Sequence, residues 1–200
     1  MDFSLQTIIE AFTIMPLWEV VAVLLGIVYV ILAAKESAVA WIFAFFNTLI
    51  YTILFWEGAL ISSSALNLYY MVMAVYGFIL WRDNPNKEEK LEVTSWGFYK
   101  LFITLLLGVF LSVITGYLSA LYLDAKFAYL DSTVMVFSVI ATWMLAKKII
   151  ENWLVWMVVD SLAVILYWKS GYHTTTVLFV LYVVLAVYGF NSWRKALIAN

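Results

Sequence analysis

The sequence predicts an all-α integral membrane protein of seven transmembrane helices, arranged as a parallel 3+1+3 internal repeat. Three observations predict it. Hydrophobic residues make up 66% of the 200 residues and charged residues 12%, against roughly 45–50% and about 25% in soluble domains. Second, one motif is written twice. Residues 70–82 and 182–194 share the frame Y-x-V-x-A-V-Y-G-F-x-x-W-R at an offset of 112. Without a gap, that offset also superposes Glu19 on Asp131, Lys35 on Lys147, Trp41 on Trp153 and Trp56 on Trp168, and it sets Ser62, Ser63 and Ser64 on Thr174, Thr175 and Thr176. Third, nine of the eleven Lys and Arg residues fall on one side of the expected spans. Long apolar runs with two prolines and eight glycines suit helices rather than the short alternating segments of a barrel.

Residues 1–16 read as an N-terminal interfacial segment. Asp2 and Glu10 sit among apolar residues, Ile8, Ile9 and Phe12 would dip into the membrane, and the basic start and small-residue cleavage site of a secretory signal are missing. Pro16 suits a helix start, where its absent N–H has no partner to lose. A span needs about 20 apolar residues, which places helices at 17–34, 38–56, 61–81, 98–123, 131–146, 150–168 and 173–193. The first repeat is then 17–82 and the second 131–194. A polar cytoplasmic loop, 83–97, and a connecting transmembrane helix, 98–123, lie between them.

The basic residues Lys35, Arg82, Lys87, Lys90, Lys100, Lys147, Lys148, Arg194 and Lys195 share a side, and Lys126 and Lys169 fall on the other. The positive-inside rule puts the nine in the cytoplasm. The N-terminus is therefore expected outside and the C-terminus inside. Three helices reverse the direction of a repeat, so the extra crossing at 98–123 is what lets both repeats point the same way about an axis along the membrane normal.

Polar groups at bilayer depth are costly and therefore few. Asn47 lies near the middle of the second helix with Tyr51 one turn on. Asp160 lies at matching depth in the sixth, one position out of register, with Trp156 and Trp153 on its stripe. A carboxylate at that depth faces a cavity or a partner helix. Asn67 and Tyr70 pair on the third helix, either as binding groups or as helix–helix glue. Their counterparts in the second repeat are Phe179 and Tyr182, so the amide is present in one half only. Glu19 and Asp131 either stabilise helix N-termini or form an outer gate. Tyr76 and Tyr188, in the repeated Tyr-Gly-Phe, either support close helix approach or form an inner gate. His173 is expected at the surface.

No cysteine is present, and no nucleophile–base pair, P-loop or metal-ligand spacing occurs. The reading is therefore not an enzyme, with no cofactor and no metal. No basic patch for nucleic acid is found. The polar residues instead describe a pocket for a flat, partly polar, cationic ligand, since Trp and Tyr faces attract rings and cations. A non-transporting receptor or assembly module is the competing class. Duplicated helix triplets with inward polar residues in both halves speak against it.

The chain resembles the PnuC family of bacterial vitamin transporters. The match is carried by Asp131-Ser132, Ser138-Val139-Ile140-Ala141, the run Glu151-Asn152-Trp153-Leu154-Val155-Trp156 reaching to Asp160, and Asn67-x-x-Tyr70-x5-Tyr76-Gly77-Phe78-x-x-Trp81. It covers nearly all of residues 17–195. The resemblance implies a SWEET-like fold, homotrimers in the lipid of a bacterial inner membrane, and facilitated diffusion of a vitamin that a cytoplasmic kinase then traps. Riboside carriers of the family resemble this chain but tend to have an amide where Asp160 stands, Gln where Asn67 stands, and Tyr-Gly-Trp for Tyr-Gly-Phe. These departures favour the thiamine branch, PnuT, with nicotinamide riboside as the alternative. Asn47, Tyr51, Asn67, Tyr70, Trp153, Trp156 and Asp160 are the expected substrate-binding residues.

Overall fold

A computed structural model describes residues 16–57, 61–82, 91–123 and 126–199, with side chains of the third helix from residue 63. Ile8, Ile9 and Phe12 of the expected interfacial segment, and residues 83–90 of the expected loop, lie outside the described residues. The helices are α1 Leu17–Ala34, α2 Ala40–Glu57, α3 Ile61–Trp81, α4 Gly97–Leu123, α5 Ala128–Ala146, α6 Asn152–Ser170 and α7 His173–Ala199. All seven are long and apolar enough to cross a membrane. Pro16 precedes α1, and its carbonyl accepts the N–H groups of Glu19 (3.0 Å) and Val20 (3.2 Å).

Helix neighbours trace a closed ring. Within the repeats α1 packs on α2 and α2 on α3, as α5 packs on α6 and α6 on α7. Between the repeats α1 meets α7 and α3 meets α5. Each repeat thus presents its third helix to the first helix of the other, as a two-fold axis requires. α4 stands outside the ring and packs on α5, through a seam of small residues, Gly108, Ser112 and Gly116. Small side chains let helix backbones approach where lipid supplies no hydrophobic drive.

Both first helices end in the same motif. Ser37 N–H reaches back to the Leu32 carbonyl (3.0 Å) and Glu36 N–H to Ala33 (2.9 Å); Ile149 and Lys148 do the same to Met144 (3.0 Å) and Leu145 (2.9 Å). This paired pattern closes a helix by placing one residue in the left-handed region, a position that usually falls to glycine. Here it falls to Glu36 (φ 57°) and Lys148 (φ 53°). The second helix of each repeat therefore starts after a turn, at 40 and at 152 instead of 38 and 150. α5 starts at 128, earlier than the expected 131, and α7 runs on to 199.

The largest buried side chains lie near these turns. Trp41 meets Trp81 edge-on (5.2 Å), Trp81 meets Trp193 (5.9 Å), and Trp193 meets Trp153 edge-on (5.4 Å). The chain of four rings is symmetric at the offset of 112, and its central pair joins the two repeats. Gly77 and Gly189 make room for it, because a Cβ at either position would collide with Trp41 or Trp153. Trp81 donates its indole N–H to the Ala146 carbonyl (2.9 Å), and Trp193 donates to Ala33 (3.1 Å). Each of these bonds ties a third helix to the first helix of the other repeat.

Candidate functional site

At the middle of the bundle, polar side chains from six helices face one interior. Asn47 of α2 donates its amide N–H to the Ala22 carbonyl of α1 (2.6 Å). One turn along α1 from Ala22 is Gly26, and a Cβ built there would lie 2.6 Å from the Tyr182 hydroxyl and 3.2 Å from Asn47 Nδ2. Tyr70 of α3 has its hydroxyl in hydrogen-bonding reach of Ser138 on α5 and in electrostatic range of Asp160. Tyr182 of α7 is in range of Asp160 and Tyr51, and Tyr29 of α1 is in range of both Tyr70 and Tyr182.

Asp160 is the acidic member. It is 4% exposed and, among the described residues, no Lys or Arg forms an ion pair with it. Its repeat mate is Thr48, whose hydroxyl is taken up by its own helix through Ala44 (2.9 Å) and Phe45 (3.1 Å). The centre therefore carries a carboxylate on one side only. Trp156 is half-buried and packs between the core at the tryptophan chain and a second core of Ala141, Met144 and Val159.

Toward the less basic end, an aromatic ladder leaves this centre. Tyr182 meets Phe179 edge-on (5.7 Å), and Phe179 stacks on Tyr167 (5.1 Å). Tyr167 lies in range of Asp131, and Tyr51, stacked on Phe55 (5.6 Å), lies in range of Glu19. The two repeated acids thus stand beside tyrosines that lead inward.

At the basic end an ion pair joins the two repeats. Lys148 Nζ and Glu36 Oε2 form an ion pair at 2.9 Å between residues that are repeat mates, at side-chain exposures of 3% and 29%. The Lys148 ammonium also lies over the Trp81 ring, 5.2 Å from its centroid. The stretch before α4 is pinned to the same turn. Thr94 N–H donates to Lys148 and Ile150 N–H to Thr94, both at 2.9 Å, while the Glu151 carboxylate accepts from Trp96 N–H (3.1 Å) and from the Ser95 hydroxyl.

Several expectations change in this light. Trp153 does not share a wall with Asp160. It is 2% exposed and is held by Trp193 and Gly189, because a ring seven residues away lies two turns along the helix. Asn67 donates an amide N–H to the Ser63 carbonyl of its own helix (2.9 Å). Tyr188 is 45% exposed, while Tyr76 lies beneath Lys147 (5.3 Å). The contacts between the repeats at that end are made by Glu36, Lys148 and the tryptophans. His173 is half-buried against Trp168 (5.5 Å) rather than at the surface. Tyr29, Ser138, Tyr167 and Tyr182 join the interior without having been expected there. Tyr182 was legible as the repeat mate of Tyr70, but isolated tyrosines such as Tyr29 carry no local signal.

The nicotinamide mononucleotide transporter family model matches residues 16–195. The chain is 23% identical over 200 residues to the nicotinamide riboside transporter PnuC of Escherichia coli (strain K12), covering 88% of this chain and 84% of that one. It is 26% identical over 186 residues to the protein of that name from Neisseria mucosa, covering 88% and 71%. To the riboflavin/roseoflavin transporter RibM of Streptomyces davaonensis it is 24% identical over 178 residues, covering 88% and 83%. The crystal structure of the vitamin B3 transporter PnuC superposes with a TM-score of 0.75 at 20% identity, over 96% of this chain and 86% of that one.

Proposed function

The chain belongs to the PnuC family of membrane transporters, and we propose that it is a facilitator for nicotinamide riboside. One observation carries this reading: the six-helix ring encloses tyrosine hydroxyls, an asparagine amide and one buried carboxylate, with no basic side chain among them. A ribose offers hydroxyls for Tyr70, Tyr182 and Asn47. A pyridinium ring suits the faces of Trp156 and Tyr51, and its charge is offset by Asp160. Asn67 would close the side opposite Tyr182. A phosphate would need cations, and among the described residues every Lys and Arg lies at a helix end or in a joint. The unphosphorylated riboside therefore fits this interior better than the mononucleotide in the family's description.

The relatives compared above are named for nicotinamide riboside or riboflavin, and none of those for thiamine, so the expectation of thiamine as first choice is not supported. Thiamine remains the second reading on a specific observation, the carboxylate at 160, which can accept from an aminopyrimidine edge or offset a thiazolium charge. On either reading the basic end faces the cytoplasm of a bacterial inner membrane, intracellular phosphorylation keeps the flux inward, and three copies assemble. Glu19 and Asp131 would draw a cation toward the opposite mouth.

The test is calorimetric titration of the detergent-purified protein with nicotinamide riboside, thiamine and riboflavin side by side. Tight binding of the riboside is expected. Tight binding of thiamine alone would select the second reading, and binding of none would remove the transport proposal.

A further inference from the structure

We infer that Gly26 is a specificity-determining position, whose missing side chain seats the Tyr182 hydroxyl and the Asn47 amide side by side on the ligand's side of α1. The inference rests on the transport reading above and assigns different duties to two equivalent tyrosines. Tyr70 and Tyr182 are repeat mates, and so are the residues they meet on the first helix of the opposite repeat, Ser138 and Gly26. The Tyr70 hydroxyl is in hydrogen-bonding reach of Ser138, so a polar side chain of the opposite repeat faces it. Across the axis the same place on α1 holds no side chain. The Tyr182 hydroxyl enters that space, where a Cβ would stand 2.6 Å away, and Asn47 Nδ2 lies 3.2 Å from the same point.

Glycine inside a helix is unfavourable relative to alanine. Gly26 sits in the interior of α1 and is buried, so helix stability gives no reason for it. The approach of two polar side chains from α2 and α7 does. Without a hydroxyl from α1, Tyr182 keeps its bonding capacity for the ligand, and it lies in range of Asp160 and Tyr51. The polar end of the substrate is thereby directed to the Tyr182 and Asn47 side of the axis. Two almost symmetric halves thus hold one asymmetric molecule in one orientation.

The experiment is a double-mutant cycle on purified protein, titrated calorimetrically with nicotinamide riboside and with thiamine. Its variants are Gly26→Ala, Tyr182→Phe and the pair together, with Gly108→Ala on the remote α4–α5 seam as a packing control. Gly26→Ala is expected to weaken binding about tenfold, the order of one lost hydrogen bond to the ligand. In the Tyr182→Phe background, where the hydroxyl that a Cβ would strike is gone, the further loss should be clearly smaller, leaving only the 3.2 Å contact with Asn47 Nδ2. Gly108→Ala should lower thermal stability and leave affinity unchanged. Unaltered affinity in Gly26→Ala, or the same loss in both backgrounds, overturns the inference while wild-type binding preserves the transport reading. If Gly26→Ala does not fold, Ser138→Ala reads the other half. Freeing the Tyr70 hydroxyl should change the ratio of the two affinities by about threefold, and a constant ratio overturns the inference. Wild-type protein that binds neither probe overturns the transport reading and this inference with it.

Discussion

Asp160 and Trp153 show how residues on one helix face divide between ligand and core. A carboxylate that is buried at mid-bundle without a basic partner keeps a polar environment because other helices supply one, here Tyr70 and Tyr182. Asp160→Asn keeps the shape and removes the charge. It should weaken binding of a cationic vitamin by about ten- to a hundredfold, the usual effect of losing a charge-assisted hydrogen bond. Titration beside a thermal melt separates that outcome from a structural one, in which stability falls and affinity does not. Trp153→Ala should behave in the opposite way. Removing a fully buried indole that is pinned by Trp193 and Gly189 costs about 3–5 kcal/mol, readable as a lowered melting temperature. The partly exposed Trp156, changed to Ala, should lose affinity with a smaller loss of stability.

At the scale of elements, the turns after α1 and α5 are where the repeats meet. A non-glycine residue in the left-handed region costs about 1–2 kcal/mol, and both Glu36 and Lys148 accept it. Glycine would relieve that cost, but it carries no charge. The two side chains pair with each other at 2.9 Å, beside the tryptophans that bond across the repeats. Lys148→Met should destabilise this arrangement by about 1–3 kcal/mol, below the range for a wholly buried pair because Glu36 is partly solvated. The exchanged pair, Glu36→Lys with Lys148→Glu, should recover most of the loss in thermal unfolding. If the exchange is as unstable as the single variant, the pair is not the contact that matters. Glu151 serves the neighbouring stretch. Glu151→Gln should speed amide exchange at Trp96, whose N–H the carboxylate accepts.

For the whole molecule, the ring of six helices with one outside is what a transporter of parallel repeats requires, since each half can rock against the other about a shared axis. The chain has no cysteine, so single cysteines report topology cleanly. With the basic end in the cytoplasm, Glu57→Cys should react with an impermeant maleimide on intact cells, and Arg194→Cys only after permeabilisation. The reverse pattern would invert the proposed orientation. Liposomes holding the pure protein should equilibrate labelled nicotinamide riboside with no ion gradient imposed.

The membrane class, the seven crossings and the parallel repeat were legible in the chain alone, because each rests on local composition or on a one-dimensional offset. Hydropathy is summed along a helix, and Glu19 matches Asp131 at any distance in space. The family resemblance was legible from the Glu-Asn-Trp-x-x-Trp run for the same reason. The site was legible only in part. Asp160, Asn47 and Tyr70 announce themselves as polar residues at bilayer depth, since lipid leaves such groups few alternatives. Tyr29 and Ser138 do not, because tyrosine and serine are tolerated on any helix face, and Tyr182 is marked only as the repeat mate of Tyr70. Their role exists only once α1 meets α7 and α3 meets α5. Likewise, Trp153 and Trp156 lie three residues apart on one helix and look alike in sequence. Depth along α6 separates them: Trp153 lies two turns from Asp160, at the level of Trp193 and Gly189, and Trp156 only one turn from it. Helical periodicity therefore determined which residues could share a face, and the packing of one helix against another determined what each face meets.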